Sequence, residues 1–399
     1  MKQIIIAYFL TFILSITTIY FITVNKGINS FLFKKSTIGS TEKSKVNYIS
    51  NFADNVFYED QFLKNCDTSV NILLLGSSEL TESTDAIPYN FISKHFTTQL
   101  NAIGHAGNQC FSIYTQLLAK DQLLNTAPVV IILSPGWFES KASKGTSSKI
   151  FLEFNSERFL NKIIENENDS EVHTYLHKRI AQLYSEFNSP SIEIKLMNFK
   201  HNATKSFIHR MLYTPLIYSD NLLLCIKENI TLKRKLDNTL FKIPSIVPES
   251  ILINWDSLDL ISKAEVIKKS TNNNMGIADE YYTEFIHGKT GYMEPVNEMF
   301  NQELEDFKML MKLLKEKKVS ASFIISPLNP LYYKNLKDIL PTINIIKNEI
   351  QNNDFPYLNL LETDTSIYDK AILHDVMHMS DNGWYKVNHF IIDTYHLSK

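Results

Sequence analysis

Five short runs of apolar, β-prone residues recur along this chain: Val70–Leu75, Thr98–Ile103, Val129–Leu133, Val319–Ile325 and Tyr357–Leu361. Antiparallel neighbours can be joined by a two-residue turn, whereas parallel neighbours need a crossover of a dozen residues or more. Every spacer here is long enough for a crossover. Two spacers show helical periodicity: Ile113–Leu124 repeats at Ile113, Leu117, Leu118 and Leu124, and Met299–Leu314 at Phe300, Leu304, Phe307, Leu310, Met311 and Leu314. The run VVIIL at 129–133 is apolar throughout, as in a strand covered on both faces. Strand, helix, parallel strand predicts an α/β fold with a doubly wound parallel sheet.

Residues 140–297 break the rhythm. They read as helices and loops rich in aromatic and basic residues, and are expected to form a helical insertion or cap on a core made of 70–139 and 298–399. At the other end, Gln3–Val24 holds no charge in 22 positions. A helix of that length spans roughly 30 Å, the thickness of a bilayer core. The following NKGINSFLFKK offers no small-residue cleavage site. Residues 1–25 are therefore expected to be an uncleaved transmembrane anchor in the lipid bilayer, with 26–69 as stalk and lead-in segment. Lys26, Lys34 and Lys35 follow the span while only Lys2 precedes it, so charge bias taken alone favours a cytoplasmic body.

Composition removes several function classes. A net charge of −3 gives no electrostatic case for nucleic acid. Three cysteines, Cys66, Cys110 and Cys225, form no CxxC pair and fix no disulfide. His105, His374 and His389 lack a second carboxylate at a ligand spacing, so no metal is expected, and no cofactor.

Ligands of open α/β sheets sit outside the carboxyl ends of the strands, which here carry Gly76-Ser77-Ser78-Glu79, Gly104-His105-Ala106-Gly107-Asn108, Ser134-Pro135-Gly136-Trp137 and Ser326-Pro327-Leu328-Asn329. The terminal segment HDVMHMSDNGWYKV adds Asp375 and His378, three apart and so able to share one side of a tight turn. A serine hydroxyl needs a base to become a nucleophile. His378 fits that role, with Asp375 fixing its tautomer. The backbone N–H of Ser78, the backbone of Gly107 and the Asn108 amide are candidate oxyanion donors. Ser77, Glu79, Trp137 and Trp384 are candidate substrate contacts. Each has a plainer reading: GSSE is an ordinary helix start, Glu79 suits a helix dipole, and the tryptophans suit a core. The set stands out because its members fall at one edge of one sheet.

These blocks resemble the DltD family of D-alanyl-lipoteichoic acid biosynthesis proteins, related to SGNH-type hydrolases. GSSEL (Gly76–Leu80) is similar to the family's nucleophile block, whose second serine, here Ser78, is the nucleophile. SPGWF (Ser134–Phe138) is similar to a block usually written SPQWF, with Gly136 in place of glutamine. NNMGIADEYY (Asn273–Tyr282) and DVMHMSDNGW (Asp375–Trp384) resemble the central and C-terminal blocks. The resemblance implies an SGNH/flavodoxin-like sheet and a body on the extracytoplasmic side of the cytoplasmic membrane. It further implies acyl transfer of D-alanine to a teichoic acid or similar envelope polymer. A membrane-bound O-acyltransferase and a D-alanyl carrier protein are the implied partners. An esterase or thioesterase using the same triad, and a non-catalytic assembly factor for the acyltransferase, are the alternative expectations.

Overall fold

The computed structural model describes residues 48–49, 71–82, 84–119, 127–155, 170–187 and 253–397. The expected anchor (1–25) lies outside the described residues, as does all of the expected stalk except 48–49. Among the described residues no helix is long and apolar enough to cross a membrane.

All five apolar runs form strands, and a sixth joins them. In chain order they are β1 (Tyr48–Ile49), β2 (Asn71–Gly76), β3 (Gln99–Gly104), β4 (Val129–Leu133), β5 (Ala321–Ile325) and β6 (Tyr357–Asn359). They make one sheet in the order β1-β3-β2-β4-β5-β6, and every neighbouring pair is parallel. The short edge strand β1 falls within the segment expected as stalk and lead-in. Two residues are too few to show a period, but they pair with Ala102 and Ile103, and the Tyr48 hydroxyl donates to the Gly104 carbonyl at 2.8 Å.

From β2 the chain moves one way to β3, then crosses back to β4 and continues outward. The direction reverses between β2 and β4, and an open sheet parts there into a crevice at its carboxyl edge.

The helices are α1 (Pro88–His95), α2 (Cys110–Ala119), α3 (Ser148–Phe154), α4 (Glu171–Ser185), α5 (Trp255–Lys269), α6 (Gln302–Glu316), α7 (Leu340–Asn352) and α8 (Asp381–Tyr395). On one face of the sheet, Ile72, Leu74, Leu100, Ala102, Val130 and Ile132 pack with Phe91 and Ile92 of α1 and with Trp384, Val387 and Ile391 of α8. On the other, Phe323 of β5 meets Phe307 of α6, ring centroids 6.3 Å apart. Covering both faces explains why VVIIL is buried at every position.

A helix start departs from the periodicity. In the second stripe the helix begins at Gln302, because Asn301 caps it by accepting the Leu304 N–H at 3.0 Å. Phe300, expected on the buried stripe, is left in a 3-10 turn (Glu298–Phe300) and is 77% exposed.

Within 140–297, α4 packs against α6 and α5 against α8. A buried ion pair secures the first contact: the Arg179 guanidinium grips Asp306 through two hydrogen bonds of 2.9 Å.

Candidate active site

The strand-to-helix turn after β2 is set by two glycines paired in register, Gly76 and Gly104. A Cβ on Gly76 would come within 2.6 Å of Glu79 Oε1, and one on Gly104 within 2.7 Å of Leu80 Cδ1. Without side chains at these positions, the 3-10 turn Ser78–Thr81 folds back tightly over the strand end. Ser77 ties the turn to the β3 loop: its hydroxyl donates to the His105 carbonyl at 3.1 Å and accepts the Gly107 N–H at 3.1 Å. Glu79 folds back to accept the Ser77 N–H at 2.7 Å. Burial pushes the Glu79 carboxyl above the usual carboxylate range, against its backbone hydrogen bonds and the nearby His378. Ser78 is left with its side chain half-exposed at the sheet edge, and its N–H opens the turn with no acceptor inside it.

Opposite stands the turn containing Asp375 and His378. Asp375 Oδ1 accepts the N–H groups of Met377 and His378, both at 2.7 Å, so the carboxylate shapes its own turn. Its Oδ2 lies 2.6 Å from His378 Nδ1, and His378 Nε2 lies 3.0 Å from Ser78 Oγ. Burial opposes charge on both members of the pair. The hydrogen bond and mutual attraction win, holding Asp375 below its ordinary value and lifting His378 above 6.5.

Two sequence blocks brace this turn from behind. The Asn329 N–H donates to the Val376 carbonyl at 3.0 Å, and its amide donates to the Met275 carbonyl at 3.0 Å. The Ala278 N–H donates to the His374 carbonyl at 2.8 Å, and buried Ile277 packs on Val376. The block 273–282 therefore supports the turn that carries the imidazole.

Ser78 and His378 open onto a cavity of about 300 Å³, also lined by Ser77, Glu79, Gly107, Gly136 and Trp137. Three expected residues have other duties. Asn108 is fully buried, its amide donates to the Gly76 carbonyl at 2.8 Å and its oxygen accepts Gln116 Nε2 at 2.9 Å. It holds the β2 turn, and its amide is not turned to an oxyanion. The Gly107 N–H is engaged by Ser77 Oγ, as above. Trp384, a candidate substrate contact, is wholly buried on α8 in the core and does not line the cavity. Its indole N–H donates to Glu82 Oε2 at 3.4 Å.

The cavity also uses residues that spacing did not single out. Glu139, directly after SPGWF, and Tyr333, soon after the β5 edge, both line it. Position beside an identified block was the only signal for either. Glu82 had none: it stands beside His374 through folding alone, at 3.4 Å.

The fold and this edge define the class: a parallel α/β protein in which a serine at a strand end meets an imidazole and a carboxylate from a C-terminal turn in one hydrogen-bonded line. The sequence profile of the DltD protein family matches residues 46–396, and the chain belongs to that family. It is similar to Protein DltD of Bacillus subtilis (strain 168), 21% identical over 365 residues that cover 86% of each chain.

Proposed function

We propose that this protein is a membrane-anchored acyl-transfer enzyme that takes part in D-alanylation of teichoic acid or a similar cell-envelope polymer. Membership of the DltD family supports the D-alanylation role. The observation that carries the chemistry is the line Ser78 Oγ, His378 Nε2, His378 Nδ1, Asp375 Oδ2, with gaps of 3.0 and 2.6 Å.

In this reading Ser78 Oγ attacks the carbonyl carbon of a D-alanyl donor while His378 Nε2 takes the hydroxyl proton. Asp375 holds the ring in the tautomer that leaves Nε2 free and stabilises the imidazolium. The tetrahedral intermediate collapses, the proton passes to the leaving group, and a D-alanyl ester of Ser78 remains. A polymer hydroxyl then gives its proton to His378 and attacks that ester, and His378 returns the proton to Ser78 Oγ as the serine leaves. The Ser78 N–H is the candidate donor to the oxyanion. A D-alanyl group carries an ammonium. The described cavity lining suits it, with carboxylates at Glu79 and Glu139 and neither Lys nor Arg. The reading includes an SGNH-type core, residues 1–25 as anchor, a body outside the cytoplasmic membrane, and a membrane-bound O-acyltransferase and D-alanyl carrier protein as partners.

A hydrolase is the second reading. His378 is 25% exposed on its side chain and Ser78 half-exposed, so water reaches the same line and a D-alanyl enzyme would be open to hydrolysis. The test is ester-linked D-alanine released by mild base from cells carrying Ser78→Ala at normal protein level. Loss of the ester supports transfer, a rise supports hydrolysis, and an unchanged level contradicts both and leaves the assembly-factor role.

A further inference from the structure

Beside the Asp375–His378 pair stands a second imidazole and carboxylate that the proposed chemistry does not use. His374 Nε2 lies 3.4 Å from Glu82 Oε1 and 3.8 Å from Asp375 Oδ2. The rings of His374 and His378 are nearly parallel, 19° apart in plane, with centroids separated by 6.1 Å. One ligand atom from each of Glu82, His374 and His378 lies within 4.8 Å of the other two.

Zinc bonds to nitrogen and oxygen are about 2.0–2.1 Å, so two ligands of one tetrahedral ion sit roughly 3.3 Å apart. His374 and Glu82 already have that spacing. Their side chains are 40% and 20% exposed, which leaves an approach from solvent and room to close the wider gaps by small rotations.

The atoms behind the ligands favour the same assignment. His374 Nδ1 lies 3.2 Å from the Met379 carbonyl, and His378 Nδ1 lies on Asp375. An oxygen acceptor at Nδ1 of each ring places the proton there and leaves the Nε2 lone pair outward, as in metal-ligating histidines. The Trp384 indole N–H occupies Glu82 Oε2, which leaves Oε1 for a metal. Two imidazoles with one carboxylate select an ion of the zinc, copper or nickel group over magnesium or calcium.

We propose that Glu82, His374 and His378 form a binding site for a divalent transition ion of the zinc class, and that its occupation silences Ser78 by taking the Nε2 lone pair of His378. The silencing half rests on the reading of His378 as the base; the binding half does not.

The test uses the full chain after chelator treatment, titrated calorimetrically with zinc chloride and, as control, magnesium chloride. Reactivity of Ser78 toward a fluorophosphonate is followed in parallel. Expected are one zinc per chain, no magnesium, and at least tenfold weaker zinc binding by His374→Ala and by Glu82→Gln. Labelling of the wild type should fall over the zinc range that fills the site and return on adding chelator. No zinc binding by the wild type, or wild-type affinity in both folded variants, overturns the site. Zinc bound through these residues with labelling unchanged overturns the silencing. A chain that binds zinc here yet never reacts with the fluorophosphonate supports the site and contradicts the Ser78 reading instead.

Discussion

The Asn108 amide donates to the carbonyl of Gly76 at 2.8 Å from a position with no exposure at all. That bond fixes the last peptide of β2, from which Ser77 and Ser78 depart. Asn108→Ala leaves the Gly76 carbonyl and Gln116 Nε2 without their partners, which costs about 1–3 kcal/mol of stability. The melting temperature should fall along with activity. An oxyanion donor, by contrast, would lower kcat with the melting temperature unchanged, so the two roles separate in one pair of measurements.

Arg179 and Asp306 make a second buried commitment, between α4 and α6. Both side chains are almost wholly buried, at 2% and 0% exposure. Removing one partner strands the other charge, and Arg179→Ala should cost about 3–5 kcal/mol in denaturant unfolding. The double variant Arg179→Met, Asp306→Leu should recover most of that loss. Equal losses in the single and double variants would contradict the ion-pair account.

The pH profile follows from the same signs. His378 must be neutral to accept the Ser78 proton, and its folded pKa lies above 6.5. In chelator-treated protein the rate should therefore fall with acid at a midpoint above pH 6.5, and Asp375→Asn should move that midpoint down. For stability, the raised His378 value contributes below 6.5 and is lost as pH rises through its folded value. The depressed Asp375 value contributes above about 3.9 and is lost as pH falls through its folded value. The melting temperature of the wild type should exceed that of Asp375→Asn most between those limits.

Glu139 is a half-exposed carboxylate lining the cavity onto which Ser78 opens. Burial raises its pKa, and it accepts the Glu294 N–H at 2.7 Å, a bond glutamine can also accept. Glu139→Gln should lower kcat/KM for a D-alanyl ester about fivefold relative to an acetyl ester, the worth of about 1 kcal/mol for a partly exposed charge contact. An unchanged ratio would remove Glu139 from ammonium recognition.

Much of the architecture was legible because apolar strands and amphipathic helices repeat with periods that burial enforces. VVIIL and the stripe from Leu304 to Leu314 needed only those periods. The two-residue strand β1 and the exposed Phe300 did not follow, since a period needs length and a cap such as Asn301 overrides it. Ser78, Asp375 and His378, expected from a strand end and a three-residue spacing, lie within hydrogen-bond reach of one another. Asn108 and Trp384 were misassigned because a polar or aromatic side chain near a strand end can face the turn or the core as readily as the cavity. The neighbourhood of Glu82 and His374 is purely tertiary, and nothing in their separate sequence surroundings announces it.

The most direct measurement is peptide mass spectrometry on the purified chain after incubation with a D-alanyl thioester and an acid quench. Expected is one alanyl group on the peptide carrying Gly76–Leu80, located at Ser78, present in Ser77→Ala and lost in Ser78→Ala and His378→Ala. An acylated Ser77, or a donor consumed at the wild-type rate by Ser78→Ala, would contradict the account.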